Sequence, residues 1–219
     1  MPQTMSQREQ YDLEWNGWKA AAGAFEGVRR YGQISRRVAA LAPDRMLDVG
    51  CGDGRLAREI KQALPGVAVH GCDLSVAALN RAEGLDRRYA VDLNVDRLPE
   101  PDGSLDLVVA SEVIEHVIEP GRAIAEFHRV LRPGGHVLIT VPNVAFWRFR
   151  LEALRGGVPS VTADARHLHS FNAALLNGLV AREGFEIVTV TGLRQRYESL
   201  SAMGFTWLCD TLLLIGRRS

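Results

Sequence analysis

The sequence predicts an α/β fold in which helices cover both faces of a mostly parallel sheet. Short runs rich in β-branched residues alternate with segments of helical period, and the connections between them are short. This alternation is typical of parallel sheets. Two late runs, about 185–191 and 210–216, have no obvious helix between them. They predict a terminal hairpin at one edge, so the sheet should be mixed.

Each element follows from an apolar pattern and the turn residues that bound it. The predicted strands are short apolar runs, at residues 45–50, 67–72, 89–92, 105–111, 136–141, 185–191 and 210–216. The predicted helices have apolar residues three and four positions apart. Three of them cover residues 26–42, 76–83 and 172–182, and Ser75 is the N-cap of the second. The other two are marked by their apolar residues, one by Leu56, Ile60 and Leu64 and one by the stripe from Ile124 to Leu131.

The 219 residues show no internal repeat, low-complexity tract or Pro/Gly/Ser linker, so we predict one domain over residues 1–219. Within it, residues 1–25 form a leading segment and residues 144–171 an insertion after the fifth strand. Three cysteines without C-x-x-C spacing argue against a disulfide framework or a zinc site. No secretory signal is visible, so we expect a cytoplasmic location.

Charge and hydropathy argue against two kinds of partner at this stage. Lys plus Arg and Asp plus Glu both total 26, and this balance argues against a dedicated nucleic-acid binder. The longest apolar runs have about five residues, whereas a membrane-spanning helix needs roughly 20. We therefore expect no membrane partner.

The first strand is followed by a glycine loop, DVGCGDG, at residues 48–54. A dinucleotide fingerprint G-x-G-x-x-G would need glycine at position 55, which is Arg55 here. Asp48 and Asp53 would also disfavour a pyrophosphate. The loop therefore favours a cationic ligand that approaches the main chain closely.

Acidic residues also follow the next strands. Asp73 lies 21 residues after Gly52, where a carboxylate can bind ribose hydroxyls. Asp92-Leu93 could bind the edge of an adenine, and the fourth strand ends at Ser111-Glu112. Because ligands bind at the carboxyl ends of parallel strands, these groups point to one nucleoside-shaped, positively charged ligand. Helix capping by Asp73 and a solvated turn at Asp92 are the alternatives.

The ordered set of motifs resembles the class I S-adenosylmethionine-dependent methyltransferases. The matching pieces are LDVGCGDG (47–54), GCDLS (71–75), VDL (91–93), LDLVVASEVIEHV (105–117) and LRPGGHVLITVPN (131–143). The resemblance implies a Rossmann-like seven-stranded sheet in the order 3-2-1-4-5-7-6, with the seventh strand antiparallel. It implies S-adenosylmethionine as cofactor, bound by Asp48, Gly50, Cys51, Gly52, Gly54, Asp73, Leu74, Asp92, Leu93 and Ser111. Cys51 is expected to be a packing residue rather than a nucleophile.

Candidate catalytic residues follow the fourth strand. Glu112, Glu115 and His116 lie at i, i+3 and i+4 and would share one face if this turn is helical. His116 is the natural base and Glu112 the second catalytic candidate. The E-x-x-E-H pattern also resembles the divalent-metal cluster of ubiquinone-pathway O-methyltransferases and small-RNA 2′-O-methyltransferases, with His167 or His169 as a further ligand. The sequence leaves a metal open without favouring it.

The acceptor side has two candidate regions. Tyr11, Trp15 and Trp18 recur at helical spacing; they predict an aromatic lid over the cofactor or ordinary packing. In the insertion, aromatic residues of 146–149 alternate with arginines, which could bind nucleic acid or form a solvated cationic face. The run at 142–151 also resembles the methionine-biosynthesis accessory methyltransferase-like family, which implies a partner protein.

The expected function is methyl transfer from S-adenosylmethionine to a small-molecule acceptor, with oxygen favoured over nitrogen or carbon. The alternative from another class is a cofactor-binding accessory protein of a partner enzyme, with little turnover. A nicotinamide-dependent dehydrogenase is a third hypothesis, which Arg55 and the acidic loop disfavour.

Overall fold

The computed structural model describes residues 5–17, 27–162, 164–193 and 198–219. The strands are β1 (Arg45–Val49), β2 (Ala68–Asp73), β3 (Arg87–Ala90), β4 (Leu105–Ser111), β5 (Leu131–Pro142), β6 (Phe185–Gly192) and β7 (Thr211–Arg218). They form one seven-stranded sheet in the order β3-β2-β1-β4-β5-β7-β6. β7 runs antiparallel to both β5 and β6, while β1, β2 and β3 pair in parallel, as do β4 and β5. The predicted fold class and strand order are confirmed.

Helices of four to fifteen residues connect and cover the strands. They are α1 (Gln7–Asn16), α2 (Gly27–Leu41), α3 (Arg55–Ala63), α4 (Val76–Leu79), α5 (Pro120–Val130), α6 (Trp147–Leu154), α7 (Ala173–Arg182) and α8 (Glu198–Ala202), with 3₁₀ turns at Ile114–His116, Ser160–Thr162 and Thr206–Leu208. Among the helices that the structure describes, none has the length and apolar character that crossing a membrane requires.

The chain divides into two compact units, residues 1–99 and 100–219. In the first unit, α2 packs against α3 and α4 packs against β2 and β3. Ile34 and Val38 of α2 and Leu56 and Ile60 of α3 are buried, as the helical spacing of these apolar residues predicts. Burying these aliphatic faces is the main stabilising contribution to this unit.

In the second unit, β5 and β7 form a long antiparallel ladder, and β6 pairs with the outer side of β7. α5 begins with Pro120 at a position where its missing N–H is not needed. It packs against β5 and buries Ile124 and Phe127. The Asn172 side chain caps α7 by accepting from the Leu175 N–H group.

Several boundaries differ from the prediction. β3 ends at Ala90 rather than residue 92, so Asp92 lies in the following turn, and the helix predicted over 76–83 ends at Leu79. β5 begins at Leu131, five residues early, because its pairing continues past a register shift. α8 and a 3₁₀ turn lie between β6 and β7, where we expected a direct hairpin. The single domain over residues 1–219 stays a prediction.

Candidate functional site

The loop after β1 carries three glycines in the left-handed region. φ is 70° at Gly50, 54° at Gly52 and 75° at Gly54, values that side chains other than glycine rarely adopt. The backbone N–H groups of Gly50 and Cys51 donate to the Cys72 carbonyl, at 2.8 and 3.1 Å. The predicted glycine loop is therefore tied to the end of β2 before it enters α3.

Asp73 is the last residue of β2, and its carboxylate binds the glycine loop. Oδ2 accepts from the Gly52 N–H group at 2.9 Å, and Oδ1 accepts from the Ser75 N–H group at 2.8 Å. Ser75, rather than Asp73, caps α4, because its hydroxyl accepts from the Ala78 N–H group. Two backbone donors thus fix the orientation of the Asp73 carboxylate.

Two acidic groups are buried beside this loop. Asp48 is 2% exposed, and its Oδ2 atom has no hydrogen-bond partner within the described residues. Burial, and then the charge of Asp73, raise the pKa of Asp48 to about 8. Burial also raises the pKa of the Cys51 thiol, which keeps the thiol protonated and supports a packing role. At neutral pH the Asp48 carboxyl is therefore mostly neutral.

The turn after β3 is built around Asp92. Its Oδ1 atom accepts from the Asn94 N–H group at 2.9 Å, and its own N–H group donates to Asp96 Oδ2 at 2.9 Å. These bonds have the pattern of an Asx turn. Leu93, like Leu74 after β2, is half-buried. The Asp92 side chain therefore shapes the turn that presents Leu93.

Helix α1 lies across the loops that follow β1, β2 and β3. Asp12 Oδ1 accepts from the Ser75 hydroxyl at 2.5 Å and from the Ala77 N–H group at 3.0 Å. The Asn94 side chain donates to Gln7 at 3.2 Å. A Cβ atom added to Gly52 would lie 2.8 Å from the Trp15 ring. Of the predicted aromatic stripe, Trp15 thus reaches the glycine loop, whereas Trp18 lies outside the described residues.

In the second unit, Glu112 follows β4 with an uncommon backbone conformation. Its φ is 57°, which costs a non-glycine residue of order 1–3 kcal/mol. Its N–H group donates to the Thr140 carbonyl, and its Oε1 atom accepts from the Thr140 hydroxyl at 3.2 Å. Ser111 shares a 3.0 Å hydrogen bond with the same hydroxyl. β5 therefore orients the side chains of both residues at the end of β4.

Three side chains gather just after this point. One ligand atom each of Glu115, His116 and His167 lies within 4.8 Å of the other two, and the two rings are 4.9 Å apart. Glu115 is 1% exposed. Glu112 is not in this cluster, because only residues 114–116 form a 3₁₀ turn. The predicted common face of Glu112, Glu115 and His116 is therefore not formed.

Backbone carbonyls fix both imidazoles of the cluster. His116 Nδ1 lies 3.0 Å from the Arg166 carbonyl, and His167 Nδ1 lies 2.9 Å from the Val161 carbonyl. A carbonyl can only accept, so each Nδ1 carries a hydrogen, and Nε2 is the basic nitrogen of each neutral ring. Burial also lowers the pKa of His116, which favours that neutral form.

The loop of residues 164–169 reaches the cluster through main-chain bonds. The Glu115 carbonyl accepts from the N–H groups of Leu168 and His169, at 2.8 and 3.2 Å. His169 Nε2 lies 3.1 Å from the Ile118 carbonyl. Of the two histidines that the sequence offered as a further ligand, the fold places His167 in the cluster.

Sequence reasoning missed Asp12 and Gln7 as contacts of the strand-end loops. Both partners, Ser75 and Asn94, are distant in the sequence, so no local pattern signals them. The only available signal was the capping box of Ser6 and Glu9, which marks the start of α1.

Comparisons with known proteins agree with this architecture. A family described as a methyltransferase domain matches residues 25–190. A probable S-adenosylmethionine-dependent methyltransferase of Mycolicibacterium smegmatis is 32% identical over 181 residues, which are 75% of this chain and 61% of that protein. A ubiquinone biosynthesis O-methyltransferase of Nitrosococcus oceani is 33% identical over 178 residues, 74% of each chain.

A solved structure shows the same fold at lower identity. The crystal structure of the cyclase SpnF has a TM-score of 0.72 and 22% identity, and the match covers 96% of this chain and 95% of that one. The family match covers most of the chain, including the glycine loop, Asp73 and the Glu115–His116 turn. The chain therefore belongs to the class I S-adenosylmethionine-dependent methyltransferases, enzymes whose cofactor is S-adenosylmethionine.

Proposed function

We propose that this chain transfers the methyl group of S-adenosylmethionine to a hydroxyl group of a small molecule. The Glu115–His116–His167 cluster carries the proposal, because a hydroxyl oxygen must lose its proton when it is methylated. The cluster offers two basic nitrogens whose tautomers are fixed by backbone carbonyls. The relative of Nitrosococcus oceani, an O-methyltransferase by name, supports oxygen as the acceptor atom.

In the reaction that we propose, the bond between sulfur and the methyl carbon breaks while the bond from the acceptor oxygen forms. The hydroxyl proton passes to Nε2 of His116, and the positive sulfonium becomes a neutral thioether. Alignment of donor and acceptor can supply about 7–11 kcal/mol, and a general base typically adds 10²–10⁴-fold. The catalytic role predicted for Glu112 stays a prediction.

We assign the cofactor to the loops after β1, β2 and β3. In this assignment Gly50, Gly52 and Gly54 let the methionine part approach the main chain, and Asp73 accepts from the ribose hydroxyls. Asp92 and Leu93 would bind the adenine edge. The same assignment includes the predicted contacts of Asp48, Cys51 and Leu74. The cofactor contact predicted for Ser111 stays a prediction.

Replacing Asp73 by Ala should weaken S-adenosylhomocysteine binding by about 1–3 kcal/mol, or roughly 5–150-fold, because hydrogen bonds to a charged acceptor are lost. Isothermal titration calorimetry measures the change. Asp53→Ala is the matched control, since Asp53 lies in the same loop but is not assigned to the cofactor. Unchanged affinity in a folded Asp73→Ala variant would refute the ribose assignment.

The same cluster fits a divalent metal, which is the second candidate for activating the acceptor. Two imidazoles and a carboxylate suit Zn²⁺ and other transition metals, and carbonyls on both Nδ1 atoms are the support that such ligands usually have. Glu115, His116 and His167 would hold the ion, which would polarise the acceptor hydroxyl.

One set of variants tests the proposal and separates the two candidates. His116→Ala should lower kcat for methylation of a phenol panel by about 10²–10⁴-fold without changing S-adenosylhomocysteine affinity. If a metal is used, the protein should show a cobalt(II) absorption band that His167→Ala abolishes and His169→Ala retains.

Mass spectrometry of the products identifies the methylated atom. Only N-methylated products, or an unchanged kcat in His116→Ala, would contradict the proposal. The absence of a cobalt band, with activity that resists chelators, would leave proton transfer to His116 as the mechanism. Tight cofactor binding without any product would instead favour the accessory-protein alternative.

A further inference from the structure

The segment of residues 147–158, which we call the 147–158 face, exposes large apolar side chains next to cationic ones. Trp147 is 43% exposed, Leu154 83% and Val158 75%. Clustered exposed apolar side chains usually mark an interaction site. We propose that this face binds the surface of a membrane that contains anionic lipids.

The start of the face is anchored in the protein. Phe146, just before α6, is buried. Its ring makes edge-to-face contacts with Trp147 and Phe149, at centroid distances of 5.9 and 5.2 Å. Tryptophan is enriched at membrane interfaces, where its ring contacts acyl chains and its N–H group stays hydrated. The buried Phe146 ring therefore supports the exposed Trp147 ring at the start of the face.

The end of the face is fixed by a tight turn. The Gly156 N–H group donates to the Ala153 carbonyl and the Gly157 N–H group to the Glu152 carbonyl, and φ at Gly156 is 79°. This is the Schellman motif, which usually brings apolar residues on its two sides into contact. Here Leu154 and Val158 remain exposed on either side of the glycines, so the turn holds two aliphatic side chains in solvent.

The charges of the face determine the occupant. Arg148, Arg150 and Arg155 are exposed and form no ion pair within the described part of the chain. The acidic residue of α6, Glu152, already accepts from the Ser160 N–H group at 2.9 Å. A cationic and apolar face of this kind complements anionic headgroups above an acyl-chain boundary.

Nucleic acid is the competing occupant, because arginines with an aromatic ring can also bind phosphates and bases. The aliphatic side chains decide between the two. Leu154 and Val158 are the most exposed apolar residues of the face, and they have no flat surface on which a base could stack. Insertion into lipid would bury them. This contact needs no spanning helix, so the short apolar runs of the sequence do not exclude it.

Co-sedimentation of the full chain with vesicles tests the proposal. We expect binding to vesicles of equal parts phosphatidylcholine and phosphatidylglycerol, and much weaker binding to phosphatidylcholine alone. Each arginine at an anionic surface contributes about fivefold, so the variant Arg148→Gln/Arg150→Gln/Arg155→Gln should bind roughly 100-fold more weakly. Trp147→Ser/Leu154→Ser should reduce binding at least about tenfold through lost apolar burial.

Leu175→Ser/Val188→Ser is the matched control, since these residues are 56% and 55% exposed but lie outside the 147–158 face. It should bind like the unmodified protein. Fluorescence quenching by brominated lipid checks insertion without relying on the variants that carry several substitutions. Brominated lipid should quench the emission of Trp147, and this quenching should be absent in Trp147→Phe. Equal binding to both vesicle types, no binding, or equal losses in the control would overturn the proposal. So would arginine-dependent binding of single-stranded RNA without vesicle binding.

Discussion

Replacing Asp48 by Asn should remove a large part of the pH dependence of folding stability. The Asp48 carboxyl has a pKa of about 8 in the folded protein, because burial and then the charge of Asp73 disfavour its ionised form. In the unfolded chain the pKa of Asp is about 3.9. Between these values the folded state holds a proton that the unfolded state has released. The free energy of unfolding therefore falls as pH rises, by about 1.4 kcal/mol per pH unit.

Asparagine has the shape of the protonated acid but does not titrate. At about pH 3, where both states hold the proton, the two proteins should have similar stability. Between about pH 5 and pH 8 the stability advantage of the Asp48→Asn variant should grow by about 3–4 kcal/mol. Urea denaturation across this range measures the difference, in which the other titrating groups largely cancel. Parallel stability curves for the two proteins would show that Asp48 ionises normally.

The sequence was informative wherever structure and chemistry are set by neighbouring residues. β4 lies where its apolar run predicts, at residues 105–111, and the glycine loop follows β1 as expected. Asp73 is the last residue of β2, and the capping residue Ser75 begins the next helix two positions later. Such features depend on a few consecutive residues, so their patterns can be recognised in a single chain.

Contacts between distant segments could not be predicted in the same way. His116 meets His167 because contacts between distant segments join them, among them the bonds from the N–H groups of residues 168 and 169 to the Glu115 carbonyl. Sequence spacing alone offered His167 and His169 equally. The sequence pattern could not predict the backbone conformation of Glu112 either, since a left-handed φ at a glutamate accompanies its hydrogen bonds to Thr140. Helical spacing therefore predicted a shared face that the backbone does not form.

Gly54, the third glycine of the loop, is required by a contact with a segment that is distant in the sequence. Its φ of 75° alone would cost alanine about 1–2 kcal/mol. A Cβ atom at this position would also lie 2.1 Å from the backbone oxygen of Glu83. That segment cannot easily move away, because the Glu83 N–H group donates to the Asp53 carbonyl at 3.1 Å. The third glycine of the loop is thus required by packing as well as by the turn.

Replacing Gly54 by Ala should consequently lower the free energy of unfolding by about 4 kcal/mol or more, which is exceptional for one methyl group. Gly66→Ala is the matched control, since an added Cβ there meets nothing within 4 Å, and it should change stability by about 0.5 kcal/mol at most. Urea denaturation of both variants at one pH measures the contrast. If the free energy of unfolding of Gly54→Ala were within about 1 kcal/mol of that of the unmodified chain, the loop and the Glu83 turn would be able to separate. The close contact would then not be what selects glycine at this position.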